Sequence, residues 1–469
     1  MNAYRSQRWP PIRRCQAGTR PPETGHRTGG WRERAGFSVT VAALGAILLG
    51  CSQPVPQAAG KAIVDSAQMA RSAWREGLEA DARGDSALAW HSVHRAAMGW
   101  PEQSAYIRGL AVLAARHRDT TQLVLALDRL ATMEVGLDTA EDPALARMSA
   151  GALVQAALQR LQGATRPRPE SRAWAALPDT TIFAEGLDAD LRTSTVYVTS
   201  LRHRTIYAVD SAGGVRDLQV GRAPGVSAIF AVRFDPARSV LWAATSGLPA
   251  AEGYQPADSA IAALLRIDPV SGAIQARYPA PAATPHVLGD IALGPEGDVF
   301  VSDSRTPALY RLRPGTETME WFSDPLFHSL QGVAPTPDGR WVYLADYSHG
   351  LLRWDLRTGT VTRLTVPAGA TSLGLDGILL DGRSIVGIQN GLAPPRVVRF
   401  TLDQAGERVV ATEVLDRHLP LADEPTNVTR LNNDLIYIAN SQWEKYADDG
   451  SRRPGTRLGP TVLLALPLR

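Results

Sequence analysis

The feature that most constrains this chain is a repeated strand-like pattern in residues 179–469. Two apolar residues, a variable residue and a further apolar residue recur six times. The copies are Ile206–Asp210, Leu264–Asp268, Leu309–Arg313, Leu351–Asp355, Val397–Thr401 and Leu463–Pro467. A second strand-like segment precedes each copy, and successive copies start 58, 45, 42, 46 and 66 residues apart. Units of about 40–50 residues with several strands are typical of propeller blades. The sequence therefore predicts a six-bladed β-propeller.

The two ends of the repeat region indicate how the propeller closes. The sixth unit reaches Arg469 directly after its third strand, and a strand-like stretch, Asp179–Ala184, precedes the first unit. We expect this stretch to complete blade six, because the pairing covers an otherwise exposed sheet edge. The proline-bearing segment 166–178 is then a linker.

Residues 61–165 follow a helical pattern, since they are rich in Ala, Leu, Arg and Gln and repeat apolar residues at spacings of three and four. One stretch resembles a tetratricopeptide repeat, with small residues or proline at Gly77, Ala89, Ala96 and Pro101. An ordinary bundle of four or five helices accounts for the pattern equally well. The predicted fold class is mainly β, a six-bladed propeller preceded by a small all-α, tetratricopeptide-like region that docks a protein partner or acts as a spacer.

The first 50 residues have the character of a secretion signal. They hold eight Arg and two Glu, and the apolar run Phe37–Gly50 ends at Cys51. The run is shorter than the roughly 20 residues that a membrane-spanning helix needs. The segment Leu48–Cys51 resembles the bacterial lipobox, which implies cleavage before Cys51 and lipidation of its thiol. By the same resemblance, Ser52 indicates the outer membrane of a Gram-negative bacterium. We therefore predict signal peptide 1–50, a lipidated tether 51–60 and a periplasmic location.

Composition excludes one class of partner. Without the leader the chain carries 41 basic and 45 acidic residues, and no basic stripe is present in residues 51–469. Because nucleic-acid binding needs clustered cationic side chains, we predict no nucleic-acid partner. Two cysteines, Cys15 and Cys51, cannot form a disulfide scaffold.

The order of strands in a blade predicts which loops share a face. The innermost strands begin at one face, here called the mouth, and the connections from second to third strands lie there too. The long insertions 247–260 and 441–459 fall on this face. So do all histidines of the region: His203, His286, His328, His349 and His418. Long polar loops on a rigid scaffold usually carry sites, so we place the functional site at the mouth.

The starts of the innermost strands supply the candidate ligands. Glu185, Asp290, Gln331 and Asp376 lie at these starts in blades one, three, four and five. Three carboxylates and an amide oxygen that converge would repel unless a cation lay between them. We predict one divalent cation; Ca²⁺ is favoured, and Mn²⁺, Mg²⁺ and Zn²⁺ are the alternatives. The competing interpretation is that these side chains cap the channel through hydrogen bonds alone.

The same segments resemble a known family. Phe183–Leu187, Gly289–Asp303, Gln331–Asp346 and Leu375–Ile378 are similar to the senescence marker protein, gluconolactonase and luciferin-regenerating enzyme family. The resemblance implies a six-bladed propeller that hydrolyses sugar lactones and related esters with one divalent metal. It assigns Glu185 and Asp376 as ligands, and Asp376 also as the general base. Gln331 stands where the family has a ligating Asn, and Gly289 where an Asn helps to hold substrate.

Two functional hypotheses follow. The first is a lipid-anchored periplasmic hydrolase of a small lactone or ester, with Asp376 or His286 as the base. The second is a non-catalytic envelope protein that binds partners through its propeller and its helical region.

Overall fold

A computed structural model describes residues 56–281, 285–417 and 423–468. The predicted signal peptide, Cys51 and His418 lie outside these ranges. Among the described residues, no helix is both long enough and apolar enough to cross a membrane.

The strands form six four-stranded antiparallel sheets, which confirms the six-bladed propeller. Blade one contains β2 (Ala184–Asp190), β3 (Thr195–Ser200), β4 (Thr205–Val209) and β5 (Val215–Asp217). Blade two contains β6 (Ala228–Asp235), β7 (Val240–Ser246), β8 (Ala262–Ile267) and β9 (Ile274–Pro279). Blade three contains β10 (Leu288–Leu293), β11 (Val299–Asp303), β12 (Ala308–Leu312) and β13 (Glu320–Phe322).

The remaining blades follow the same order. Blade four contains β14 (Leu330–Pro335), β15 (Trp341–Asp346), β16 (Gly350–Asp355) and β17 (Val361–Arg363). Blade five contains β18 (Leu375–Asp381), β19 (Ser384–Gln389), β20 (Arg396–Leu402) and β21 (Val409–Arg417). Blade six contains β22 (Val428–Leu431), β23 (Asp434–Ile438), β24 (Thr461–Pro467) and β1 (Arg172–Leu177). The innermost strands β2, β6, β10, β14, β18 and β22 pack side by side around the axis.

The strand that closes blade six differs from the predicted one. β1 pairs with β24, so an N-terminal strand does complete the blade, but it is Arg172–Leu177 rather than Asp179–Ala184. The Asp179 carboxylate accepts hydrogen bonds from the backbone N–H and hydroxyl of Thr181, which makes that stretch a turn. Ala184 already belongs to the innermost strand of blade one. The predicted 166–178 linker therefore contains a propeller strand.

Within residues 56–165, the described part of the chain before the propeller, there are six α-helices. They are α1 (Pro56–Ala82), α2 (Ser86–Gly99), α3 (Ser104–Arg116), α4 (Thr120–Thr132), α5 (Pro143–Met148) and α6 (Ala152–Ala164). Asp85 and Asp119 cap α2 and α4 by accepting hydrogen bonds from backbone N–H groups of the first turns. A Cβ at Gly77 would lie 2.7 Å from the Val93 side chain, so this glycine allows α1 and α2 to approach closely. The tetratricopeptide resemblance stays a prediction.

The helices pack on the mouth of the propeller, and we call them the helical layer. Ile63 and Val64 of α1 pack against a buried cluster that includes Phe327. Glu102 forms an ion pair with Arg363 of β17 at 2.5 Å. Farther along the layer, the Arg396 Nη1 of β20 donates to the Met133 carbonyl at 3.0 Å. The helical layer thus covers the mouth over blades four and five instead of standing apart as a spacer.

Candidate active site

Three of the predicted ligands occupy the same position in their blades. In blades one, four and five, the first and second strands pair at their mouth-side ends. A register shift directly follows the first pair of residues there. Glu185, Gln331 and Asp376 are the first residues of these irregularities, and all three are buried. β-Bulges next to sites commonly redirect a side chain. Here they place two carboxylates and an amide at the top of the central channel.

The Glu185 carboxylate is oriented by the long insertion of blade six. Its Oε2 accepts a hydrogen bond from the Trp443 indole N–H at 2.6 Å and another from the Ser441 hydroxyl at 3.0 Å. Both of these donors are neutral side chains. Neighbours of this kind fix the rotamer of a candidate ligand.

Asp376 is oriented in a similar way by the end of β19. The Asn390 amide N–H donates to its Oδ2 at 2.6 Å and also to the Pro425 carbonyl at 2.8 Å. The Tyr347 hydroxyl donates to the Asn390 Oδ1 at 3.1 Å, which defines the orientation of that amide. A short hydrogen-bond chain therefore runs from blade four through blade five to the candidate base.

Gln331 reaches over the neighbouring glycine of blade three. Its amide nitrogen donates to the Ser329 hydroxyl at 3.2 Å. Its Oε1 lies 3.9 Å from the place where a Cβ of Gly289 would stand. The longer side chain at position 331 and the missing side chain at position 289 thus compensate in volume. The residues at these two positions therefore fit one another locally.

Asp290 does not join the other three residues, which corrects its assignment as a ligand. It lies one residue farther along its strand, one layer below the top of the channel. Its Oδ2 accepts from the Val333 N–H at 3.0 Å, and its Oδ1 faces the Asn427 amide at 3.4 Å and an Arg233 Nη at 3.7 Å. Burial raises the pKa of Asp290, while Arg233 and these donors oppose the shift.

Arg233 connects several blades across the channel. It forms an ion pair with Asp188 of blade one at 3.1 Å, and its Nε donates to the Ile291 carbonyl at 2.9 Å. The Thr429 hydroxyl of blade six donates to the same Asp188 carboxylate at 2.6 Å. Asp290 and Asp188 therefore belong to an ion-pair network that fills the channel below the mouth.

His286 lies at the mouth but is engaged at both ring nitrogens. Its Nδ1 is 2.6 Å from Asp303 Oδ2, and its Nε2 is 2.8 Å from the Pro281 carbonyl oxygen. The Tyr310 hydroxyl lies 3.3 Å from Nδ1. With an acceptor at each ring nitrogen, this imidazole is placed to hold the loop before blade three. The geometry favours Asp376 over His286 as the base.

Glu185, Gln331 and Asp376 offer oxygen ligands of the kind that hard cations bind. Within the described ranges, no group of three or more His, Cys, Asp or Glu side chains is close enough to hold a metal ion. Glu185 and Asp376 supply two carboxylates, so the Gln331 amide oxygen would have to supply a third ligand. Carboxylate and amide oxygens are the ligands that Ca²⁺ takes in proteins. These three residues fit such an ion in type and in position on their strands.

Several cavities open at the mouth, and two of them lie next to residues that contact the candidate ligands. One, of about 220 Å³, lies between α3 and blades four to six and is lined by Arg108, Tyr347, Asn390 and Glu424 among others. The other, of about 610 Å³, lies under the insertions of blades two and six. Asn390 contacts Asp376, and Trp443 of the second cavity contacts Glu185, so each cavity adjoins one of the two carboxylates.

Comparisons with known proteins report on the fold. Neither a family model nor a curated protein matches this sequence. Among solved structures, a calcium-binding regucalcin from Agrobacterium tumefaciens is 15% identical, with coverage of 64% of this chain and 96% of that one and a TM-score of 0.43. A gluconolactonase from Xanthomonas campestris is 15% identical, with coverage of 65% and 91% and a TM-score of 0.42.

A lyase belongs to the same group of neighbours. The virginiamycin B lyase from Staphylococcus aureus is 13% identical, with coverage of 56% of this chain and 79% of that one and a TM-score of 0.40. At such identities a likeness concerns the fold alone, and here the six-bladed architecture rests on the strand pairing itself.

Several residues of the site were missed or undervalued in the sequence. Neither Trp443, which orients Glu185, nor Arg233 was singled out from the sequence. Arg233 stands in an apolar strand, Ala228–Asp235, where an inward-facing charge signals a buried partner. The sequence therefore offered a sign that Arg233 has a buried partner. It did not identify the partners, Asp188 and Asp290, because they belong to other blades.

Proposed function

We propose that this chain is a divalent-metal-dependent hydrolase of the lactone or ester class, with its active site at the mouth of the propeller. The observation that carries the proposal is the ring position shared by Glu185, Gln331 and Asp376 at the top of the channel. Two of these three side chains are oriented by neutral hydrogen-bond donors. A purely structural cap would not require oriented carboxylates beside two cavities.

The three residues would hold the cation, with Ca²⁺ favoured over Mn²⁺, Mg²⁺ and Zn²⁺. When bound, such an ion polarises a carbonyl oxygen and lowers the pKa of a coordinated water. Asp376 acts as the general base on the attacking water. The Asn390 amide donates to one oxygen of Asp376, which aims the carboxylate.

The atoms balance in a simple hydrolysis. The water oxygen forms a bond to the carbonyl carbon, and its proton passes to Asp376. The bond between the carbonyl carbon and the alkoxy oxygen then breaks, and the departing alkoxide takes the proton from Asp376. The products are a carboxylate, after loss of its own proton to solvent, and an alcohol.

The location of the protein is a second part of the proposal. Cleavage before Cys51 and lipidation of its thiol would anchor the chain at the periplasmic side of the outer membrane. The support is the basic and apolar leader followed by the Leu48–Cys51 segment. Incorporation of labelled fatty acid into the wild-type protein, and its loss in Cys51→Ala, would support the anchor; labelling of both would contradict it.

A non-catalytic partner-binding role is the alternative function. The observation in its favour is the outward surface of the helical layer, where Met69, Met98, Leu125 and Leu153 are 57–69% exposed. Exposed large apolar side chains are a feature of surfaces that bind protein partners. Capture of a specific envelope protein by wild type but not by a Met69→Ser/Met98→Ser variant, with no hydrolysis detected, would favour this role.

The test of the hydrolase proposal compares metal binding and activity in one set of variants. We expect Ca²⁺ to raise the melting temperature of the wild-type protein and of Glu320→Gln, which changes an exposed glutamate of β13. The same ion should leave Glu185→Gln unaffected. Asp376→Asn should keep the fold and lose lactone and ester hydrolysis by at least about 100-fold. Unchanged activity in Asp376→Asn would contradict the mechanism.

A further inference from the structure

The two long insertions enclose the larger cavity of the mouth. The loop 247–261 of blade two and the loop 441–460 of blade six meet above blade one, where the backbone of Gly450 packs against that of Pro249. The cavity beneath them, of about 610 Å³, is within the range that small-molecule sites occupy. Three aromatic rings line it, those of Phe230, Tyr254 and Trp443.

Trp443, one ring of this cavity wall, packs against further aromatic rings. The Trp443 ring meets the Phe183 ring edge-on, with centroids 4.8 Å apart and an interplanar angle of 79°. Phe183 in turn stacks on Tyr446 at 4.7 Å and 6°. Phe230, from the second layer of the channel, lies 6.4 Å from Trp443. A preorganised wall of this kind binds a planar ring at a low cost in conformational entropy.

The cavity also connects directly to the candidate chemistry. Trp443 lines it and donates its indole N–H to Glu185 at 2.6 Å. A ring seated against Trp443 would lie beside the carboxylate that we assign as a ligand. His286, Arg305 and Asp448 also line this cavity. The cavity on the other side, under α3, is smaller and has Tyr347 as its aromatic lining residue.

From this arrangement we infer that the cavity binds an aryl group, so that the substrate is an aryl-bearing ester or lactone. The inference rests on the proposed function for the reaction itself, whereas the ring-binding cavity stands on its own geometry. Aromatic rings attract one another in edge-on and offset-stacked arrangements beyond the effect of buried area. An aromatic ligand should therefore bind better than a saturated one of the same shape.

The experiment measures binding without hydrolysis. Isothermal titration calorimetry in the presence of a chelator compares 1-naphthol with its saturated analogue decahydro-1-naphthol. We expect 1-naphthol to bind the wild-type protein about tenfold more tightly, the ratio that corresponds to about 1.4 kcal/mol. Leu248→Trp fills the cavity and should weaken 1-naphthol binding by at least about tenfold.

Two further variants keep the result interpretable. Leu191→Trp makes the same change at an exposed position on the opposite face and should leave binding unaffected. Tyr254→Ala removes one ring of the wall and should also weaken binding, and thermal melting checks that each variant folds. Equal affinity for the two ligands, or unchanged binding by Leu248→Trp, would overturn the inference.

The test separates this inference from the proposed function. Naphthol binding by a wild-type protein that hydrolyses no lactone or ester would leave the aryl site standing and defeat the hydrolase. Ester hydrolysis with no preference for aryl over alkyl esters, and with an unchanged KM in Leu248→Trp, would defeat the aryl site. The hydrolase proposal would then stand.

Discussion

The mouth of the propeller is covered in two different ways. Over blades four and five, the helical side, the cover is a distant part of the chain that docks through charged contacts such as Arg396 with Met133 and Arg417 with Glu134. Over blades six, one and two, the insertion side, the cover is built from loops of the propeller and held by aromatic packing. Docking through hydrogen bonds and ion pairs depends on a few directional contacts. Aromatic packing is stabilised by many weak van der Waals contacts distributed over the ring surfaces. The two sides should therefore respond differently to single substitutions.

The largest effect is expected on the helical side, at Arg396. This buried guanidinium donates to the Gln389 amide oxygen at 2.7 Å as well as to the helical layer. Arg396→Ala would leave several buried acceptors without this donor and should lower the free energy of unfolding by about 3 kcal/mol. Urea denaturation measures the change.

A matched control for this variant is Arg408→Ala, which breaks an ion pair whose arginine is 66% exposed. It should change the free energy of unfolding by less than about 1 kcal/mol. Similar losses in the two arginine variants would show that docking of the helical layer does not depend on Arg396.

On the insertion side, the sharpest change is Trp443→Phe. It keeps an aromatic ring in place but removes the N–H that Glu185 accepts. We expect a loss of about 1–2 kcal/mol in the free energy of unfolding and weaker Ca²⁺ binding, because the carboxylate is no longer oriented. Trp321→Phe makes the same change at a side chain that is 64% exposed and should alter neither quantity. Unchanged Ca²⁺ affinity in Trp443→Phe would show that the indole N–H does not contribute to the metal site.

The helical side should also respond to pH through two histidines. His328 and His349 lie with ring centroids 5.5 Å apart under α1, where Arg71 approaches His349 to 3.4 Å. Burial, followed by Arg71, lowers the pKa of His328 from 6.5 to about 4, against the opposing charge of Asp346. Burial also lowers the pKa of His349, with Asp346 opposing the shift and Arg71 and Arg363 adding to it.

The sign of the pH effect follows from these shifts. Between pH 6.5 and about 4, the unfolded chain binds more protons at these positions than the folded chain. The free energy of unfolding should therefore fall as the pH is lowered through this window. Urea denaturation at several pH values should show a shallower fall in His328→Gln/His349→Gln, whereas His91→Gln, at an exposed position of α2, should follow the wild type. Parallel curves for the double variant and the wild type would argue against the histidine pair.

The smallest effect is expected between the two sides, at Gly289 and Gln331. Gly289→Asn would place an amide where the Gln331 side chain now extends, at a cost of about 1 kcal/mol. Combining it with Gln331→Asn should recover most of that loss. A double-mutant cycle measures the coupling, and strictly additive losses would contradict the volume compensation.

The strands of the six units were predicted within a few residues, because alternating burial leaves a signal in each short segment. The closing strand Arg172–Leu177 was missed, since its alanines carry little strand preference and its extended form comes from pairing with β24. Asp290 was grouped with the ligands although it stands one residue farther along its strand than Glu185, Gln331 and Asp376 do along theirs. A shift of one residue along a strand changes the layer of the channel.

By itself, the sequence determined the number of blades, the face on which the long loops lie and the ring position of Glu185, Gln331 and Asp376. These follow from local periodicity, which each unit carries independently. The tertiary structure alone decided what surrounds that ring: the indole on Glu185, the amide on Asp376, the Arg233 network below and the helical layer above. Those contacts join residues far apart in the chain, with no periodic spacing between them, so they exist only once the blades have closed and the helices have docked.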